Sequence, residues 1–457
     1  MNFLCFRYNF ISITIFCSTF IFFIFSSLRH ILFQSTAWDL AIFDQAVYLI
    51  SQGKIPNSSF LNIHILGDHA SLILYPLSLF YVFYPSVYWL FFVQALSLSL
   101  GILPIYYLCQ NQGLNKNDSL MIIFIYLFYP LVFNINLFDF HPDVIFIPAI
   151  LFALLAVFEN RFFLFVLSIL IALSCKSIFS LTVMFMGLWL LSFEKKKFSL
   201  FAIGSGLTWF IVSTKVIIPI FGNNNSNIER HIERFNYLGN TFSEITHNLF
   251  FRPTLVLEGI FNLSNFGYLL LLMAPIFWGI SLVSLSPLIS CIPSFAINLL
   301  SQNILQKDLL HHYSLPILPF LMVVVIKTIA QRKKPIWRKY IFLWSLISFI
   351  ALAKLGNFTS RYLVSLDMWT ANTEAINKIY DEESVLTYSY IAPHISHRSI
   401  VKLIEQEANI NLEQFNNILL NDVFPQSENI KRRIQESDHF SLTFQKNNVY
   451  LFQKNNV

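Results

Sequence analysis

The stretch NFISITIFCSTFIFFIFSSL, residues 9–28, carries no charged side chain and exceeds the roughly 18 apolar residues that read as a bilayer crossing. Such a run crosses lipid only as a helix, because an isolated extended segment leaves backbone N–H and C=O groups unpaired where there is no water. The pattern recurs at residues 87–109, 119–137, 144–158, 162–175, 178–193, 198–221, 263–283, 285–300, 315–330 and 340–356. About eleven crossings are therefore expected within residues 1–356. Residues 72–84 are also apolar but short and interrupted by Pro76, which reads as an interfacial or re-entrant piece.

Composition agrees. Of the 457 residues 56% are hydrophobic and 12% charged, half the roughly 25% of a soluble domain, and the mean hydropathy is +0.60. The net charge of +5 does not indicate nucleic acid, because the cations concentrate at Lys195-Lys196-Lys197 and at residues 331–339, both beside apolar runs. Clusters so placed are cytoplasmic anchors. Four predicted helices separate them, an even number, so one topology satisfies both. It puts the N-terminus in the cytoplasm and residues 29–71, 139–143, 222–262, 301–314 and everything after 357 outside, with the turn Lys176-Ser177. Arg7 precedes the first apolar run, but Ser26-Ser27-Leu28-Arg29 offers no small-residue cleavage pattern, so the first helix is expected to be retained. The five cysteines have no metal or disulfide spacing.

From residue 357 the chain gains charge and shorter periods. Strands are expected at 384–388 and 416–423, a helix at 427–437, and a hairpin of 441–444 with 449–452 around Lys446-Asn447-Asn448. The expected fold is thus mainly α, a polytopic membrane domain over 1–356 with outer-face loops 29–71 and 222–262, followed by a small α/β soluble domain over 357–457.

The polar residues that carry chemistry fall on the predicted outer face. Asp39 opens an expected helix over 40–51, where an N-cap carboxylate is the bland reading; a general base or a hard-cation ligand is the functional one, shared with Asp44. Asp68-His69, and Asp139, His141 and Asp143 in Asp139-Phe140-His141-Pro142-Asp143, lie at ends of apolar runs. Lys176 reads either as a snorkelling interfacial cation or as a phosphate-binding one. His311-His312 would add to a phosphate-binding or proton-handling site. In the tail, His394, His397 and Arg398 follow a predicted strand, where loops carry function. No His-x-x-x-His or Cys-x-x-Cys spacing supports zinc; a divalent cation stays open.

Together Asp39 to Gln45 (Asp-Leu-x-Ile-Phe-Asp-Gln), Gly67-Asp68-His69, Phe140-His141-Pro142, His312-Tyr313 with Pro316 and Pro319-Phe320, and Pro393-His394-Ile395-Ser396-His397-Arg398 resemble the bacterial membrane proteins grouped as domain of unknown function 2079. The resemblance runs from about Trp38 to the C-terminus. That family looks related to the GT-C superfamily of glycosyltransferases, which use polyprenyl-phosphate-linked sugars on the outer membrane face. The resemblance implies an acidic residue in the first outer loop as catalytic group, Asp39 first and Asp44 second. It implies a bacterial inner-membrane location, with the bilayer and a polyprenyl-phosphate sugar donor as partners. Lys176, His311 and His312, with His69 and His141, would meet the phosphate. One departure stands out: where the family is expected to show Lys-Glu-Asp, this chain has Lys176-Ser177-Ile178. A transporter or flippase, which needs ionisable groups deep in the bilayer, and a non-catalytic scaffold are the alternatives.

Overall fold

Prolines decide where the apolar runs break. The computed structural model describes residues 2–222, 232–332, 338–406 and 410–455; parts of the expected outer loop 222–262 and of the basic stretch 331–339 lie outside the described residues. The first run lies within one helix, Asn2–Ile31. Residues 119–137, expected as one helix, form Lys116–Leu127 and Pro130–Asn136, bent by 45°. Pro130 sits at the start of the second piece, where its missing N–H costs no helical bond. The run 285–300 likewise starts as a 3-10 turn, Ser286–Cys291, and becomes α-helical at Ile292–Leu300, with a proline near each start. His312–Ile317 is a 3-10 turn containing Pro316 ahead of the helix Leu318–Ala330.

By length and apolarity four of the described helices can cross a membrane: Phe10–Ile31, Tyr88–Asn111, Lys196–Phe221 and His312–Ala330. Counting each bent pair as one span gives six. The others among the expected eleven are shorter. Asp143–Phe158, with 16 residues, rises only about 24 Å against a hydrocarbon core of roughly 30 Å. Leu74–Phe83 is the short apolar helix in the stretch expected to be interfacial.

The helix Leu318–Ala330 is almost wholly buried, whereas Lys196–Val212 presents Leu200, Leu207 and Ile211 outward. Phe179–Leu191 packs closely along Lys196–Val212 because Gly206 has no side chain: a Cβ there would lie 2.7 Å from the Ser180 carbonyl oxygen.

A 22-residue helix, Leu355–Ile376, leads into the C-terminal lobe. Its sheet has the order β4-β3-β5-β7-β6, from β3 (Val385–Thr387), β4 (Val401–Leu403), β5 (Asn417–Asn421), β6 (Phe440–Lys446) and β7 (Val449–Lys454). β3 pairs in parallel with β4 and β5, while β5–β7 and β7–β6 are antiparallel. The helix Ser427–Ser437 occupies the expected residues, and the hairpin turns through Asn447 at φ 51°. β4 had no counterpart in the sequence reading. A small hairpin, β1 (Asn57–Ser58) with β2 (Ile63–His64), lies in the segment 29–71 expected on the outer face. One apolar cluster runs from the bundle into the sheet, joining Leu318 and Phe320 to Val385, Ile418 and Leu451.

Candidate functional site

The segment expected on the outer face begins where Asn2–Ile31 ends. Thr36, rather than Asp39, occupies the N-cap position, and Ala37–Ala41 form a π-helical turn that runs into the helix Ile42–Ser51. The N-cap reading of Asp39 is therefore corrected: the wider π turn carries its carboxylate inside the helix start. Such turns are frequent at functional positions. The Thr36 hydroxyl donates to Asp39 Oδ2 at 2.8 Å, and Asp39 Oδ1 lies 3.3 Å from His141 Nε2. The Asp39 side chain is 26% exposed, so it is held yet reachable.

His141 is buried, in the turn just before the helix Asp143–Phe158. Its ring stacks on His312, with centroids 4.2 Å apart, and packs against Phe138 and Phe43. His311 Nδ1 lies 2.7 Å from Asp308 Oδ2, with its ring against Phe138. Lys176, His141, His69 and His311 all lie close enough to His312 to act on it electrostatically. Lys176 follows the last residue of the helix Phe162–Cys175, and its Nζ is 2.7 Å from Asp143 Oδ2, with lysine and aspartate only 5% and 2% exposed. A snorkelling lysine would not be so enclosed. The adjacent Ser177 N–H donates to the His69 carbonyl, and His69 Nε2 is 3.3 Å from Asp68 Oδ2. Asp39, His141 and His312 thus form one run of contacts from separate parts of the chain, and the Lys176–Asp143 pair lies within electrostatic reach of His312, as do His311 and His69.

Asp139 braces this group. Its Oδ2 accepts the Thr36 N–H at 3.1 Å and lies 3.2 Å from the buried Arg29 guanidinium, which also donates to the carbonyls of Gln34 and Leu137. Burial pushes the Asp139 carboxyl up to about 7, against the pull of Arg29 and with a further push from Asp39. Burial also raises Asp39, but the hydrogen bond and charge of His141, the Thr36 hydroxyl and the charge of Arg29 outweigh it. Asp39 stays below the usual carboxylate range.

Asp44 faces the C-terminal lobe instead. It is 1% exposed and accepts from Tyr81 at 2.5 Å, from the Ser396 hydroxyl and from His397 Nε2 at 3.1 Å. His397 lies flat on Tyr48, and His394 is stacked between His30 and Phe33. Arg398 is occupied by the carbonyls of Ile395, Glu383 and Tyr380. A cavity of about 540 Å³ opens here, lined by His30, Asp44, Ser86, Tyr380, His394 and His397 among others. The candidates therefore divide into an Asp39 group and an Asp44 group on two sides of one helix. Among the described residues no three His, Cys, Asp or Glu side chains are placed to hold a metal ion.

Sequence reading missed Arg29, Thr36, Tyr81 and Ser396. Arg29 carried a signal: an arginine directly after the charge-free run 9–28 needs a carboxylate or carbonyl partner. The Tyr81 and Ser396 hydroxyls meet a partner, Asp44, far away in sequence, whereas Thr36 lies only three residues from Asp39.

The helical membrane bundle joined to a C-terminal sheet lobe is a fold that the chain shares with solved structures of ArnT. The crystal structure of ArnT from Cupriavidus metallidurans bound to undecaprenyl phosphate matches with a TM-score of 0.56 at 10% identity, over 97% of this chain and 98% of that one. The apo state of the same ArnT matches with a TM-score of 0.53 at 9% identity, over 98% of each chain. Residues 29–451 match the family described as predicted membrane protein (DUF2079), and the chain belongs to that family. No curated protein matches in sequence.

Proposed function

We propose that the chain is a GT-C-type transferase that moves a sugar from a polyprenyl-phosphate-linked donor to an acceptor hydroxyl on the extracytoplasmic face. The observation that carries this reading is the run of contacts from Asp39 through His141 to His312, with the buried Lys176–Asp143 pair within electrostatic reach of His312. Asp39 takes the acceptor proton as the hydroxyl oxygen attacks the anomeric carbon. The bond from that carbon to the phosphate oxygen breaks, and the lipid phosphate leaves with the electron pair. Lys176, with His311 and His312, stabilises the charge growing on the phosphate. That an ArnT structure of the same fold contains undecaprenyl phosphate supports a lipid phosphate as partner.

In this reading the N-terminus is cytoplasmic, in a bacterial inner membrane. Residues 1–356 form the membrane domain and 357–457 an extracytoplasmic one, and the shorter apolar helices complete the expected crossings. The test is transfer of a radiolabelled sugar from a panel of polyprenyl-phosphate sugars by protein in liposomes. Product that disappears in Asp39→Asn and Lys176→Met supports the reading. Donor moved across the bilayer without hydrolysis or transfer would favour the flippase alternative.

A further inference from the structure

The helix that carries Asp39 is gripped from its other side by the C-terminal lobe. The Ala37 N–H, two residues before Asp39, donates to the Ser389 carbonyl at 2.9 Å. Gln45 Nε2 donates to the Arg398 carbonyl at 2.9 Å. The Ser59 hydroxyl, itself bonded to Gln45, donates to the Val401 carbonyl and accepts the Val401 N–H. Between these neutral contacts, Asp44 meets Ser396 and His397.

We propose that His397 is a positioning residue for Asp39: by holding Asp44, the lobe's 393–401 loop latches the first outer helix and sets the approach of Asp39 to His141. The consequence for turnover rests on the transferase reading, but the mechanical coupling does not.

Asp39 and Asp44 are five residues apart, about 7.5 Å along a helix, so a tilt or rotation at one end reaches the other. The π turn at Ala37–Ala41, with its irregular hydrogen bonding, is the part of the segment able to yield. The Asp39–His141 separation of 3.3 Å is already at the long end of a hydrogen bond. A shift of about 1 Å in a catalytic group is enough to lower a rate roughly 100-fold.

Of the three groups that donate to Asp44, Tyr81 and Ser396 are neutral, so His397 is the donor whose charge can vary near neutral pH. Its surroundings are mixed. Asp44 and Tyr48 face it from the first outer helix, Tyr81 from Leu74–Phe83, His30 from the first helix, and Arg398 and Asp381 from the lobe. Burial lowers its basicity, but the charge and hydrogen bond of Asp44 outweigh burial and hold the imidazolium above the usual histidine range. The latch is therefore at full strength below about pH 6.5 and weakens as the pH rises through the elevated value.

Trp38 reports on the turn directly, because it adjoins Asp39 and is 45% exposed. The experiment uses the full chain in nanodiscs with 5-fluorotryptophan, the Trp38 resonance being assigned by Trp38→Phe. In the unaltered protein the Trp38 fluorine shift should titrate with a midpoint above 6.5. In His397→Gln that step should vanish while the Trp189 and Trp369 signals stay in place. Asp44→Asn, which keeps the Tyr81 and Ser396 contacts, provides the same test should His397→Gln fail to fold. His397→Lys should move the step to higher pH. A Trp38 titration that persists unchanged in His397→Gln and Asp44→Asn has its origin outside the latch, Asp139 beside Asp39 being one such source, and overturns the proposal. Where transfer is detected, His397→Gln should lower kcat roughly 100-fold with little change in donor KM. The fluorine effect without any transfer leaves the latch standing and removes the transferase reading.

Discussion

Replacing Lys176 by Met separates stability from chemistry at the centre of the proposed site. At 2.7 Å and an effective dielectric constant near 20, the attraction between Lys176 and Asp143 is about 6 kcal/mol. Removing two such ions from water costs several kcal/mol each, so the intact pair is close to neutral for folding. Losing one partner is different, because Asp143 then stays buried at 2% exposure with no lysine against it. Lys176→Met should therefore destabilise by about 3–5 kcal/mol. Lys176→Met with Asp143→Leu removes both charges and should recover most of that loss. The assay is a double-mutant cycle of unfolding in mixed micelles, run beside the sugar-transfer assay. Stability should return in the double variant and transfer should not, since the phosphate then has no cation. Lys176→Met that unfolds like the unaltered protein would refute the buried-pair energetics. A double variant that transfers normally would refute the role of Lys176.

Asp39→Asn should reduce transfer by at least about 100-fold while shifting the unfolding midpoint little, because an amide still accepts from Thr36. Since Asp39 is held below the usual carboxylate range, the acid limb of the rate profile should fall below about pH 4, and its share of stability, present above that pH, should be lost only as the pH drops through the depressed value. Tyr81→Phe should cost about 1.5–3 kcal/mol, read as a lower unfolding midpoint, because it leaves the buried Asp44 carboxylate one donor short. Gly67→Ala should cost about 1–3 kcal/mol in the same measurement, because the added Cβ would sit 2.5 Å from the Phe221 carbonyl oxygen and backbone has to move.

Much of this architecture was legible locally. Apolar runs marked the helices, and Pro130, Pro287 and Pro316 stood in the sequence at the places where the expected straight helices break. The tail's β6–β7 hairpin and the helix Ser427–Ser437 followed from alternation and turn residues. The count of crossings was harder, because length in residues converts to span only if the helix stays straight. At the site, residue types were legible and their partners were not. Asp39 and Asp44 belong to one short motif, yet five helical residues separate them by about 140° around the axis. Helix geometry therefore puts them on different faces, and the structure gives one to His141 and the other to His397. Nothing local shows that His141 stacks on His312, or that Lys176 meets Asp143, because both contacts depend on how distant helices pack.

The absence of acids after Lys176 looks different once those contacts are known. A lysine followed by Glu-Asp would carry its carboxylates on the same turn. Here Ser177 and Ile178 occupy those positions, and acid reaches the neighbourhood from other segments. Asp143, at the N-terminus of its own helix, closes on Lys176 directly, and the Asp68–His69 pair is tied alongside through the Ser177 N–H to His69 carbonyl bond. A carboxylate at a helix N-terminus is favoured by the helix dipole, which adds to the attraction between Asp143 and the lysine. The local departure therefore leaves the site with its cation and with carboxylates around it. What changes is their attachment: the charge balance now depends on the mutual packing of Phe162–Cys175 and Asp143–Phe158 rather than on one turn.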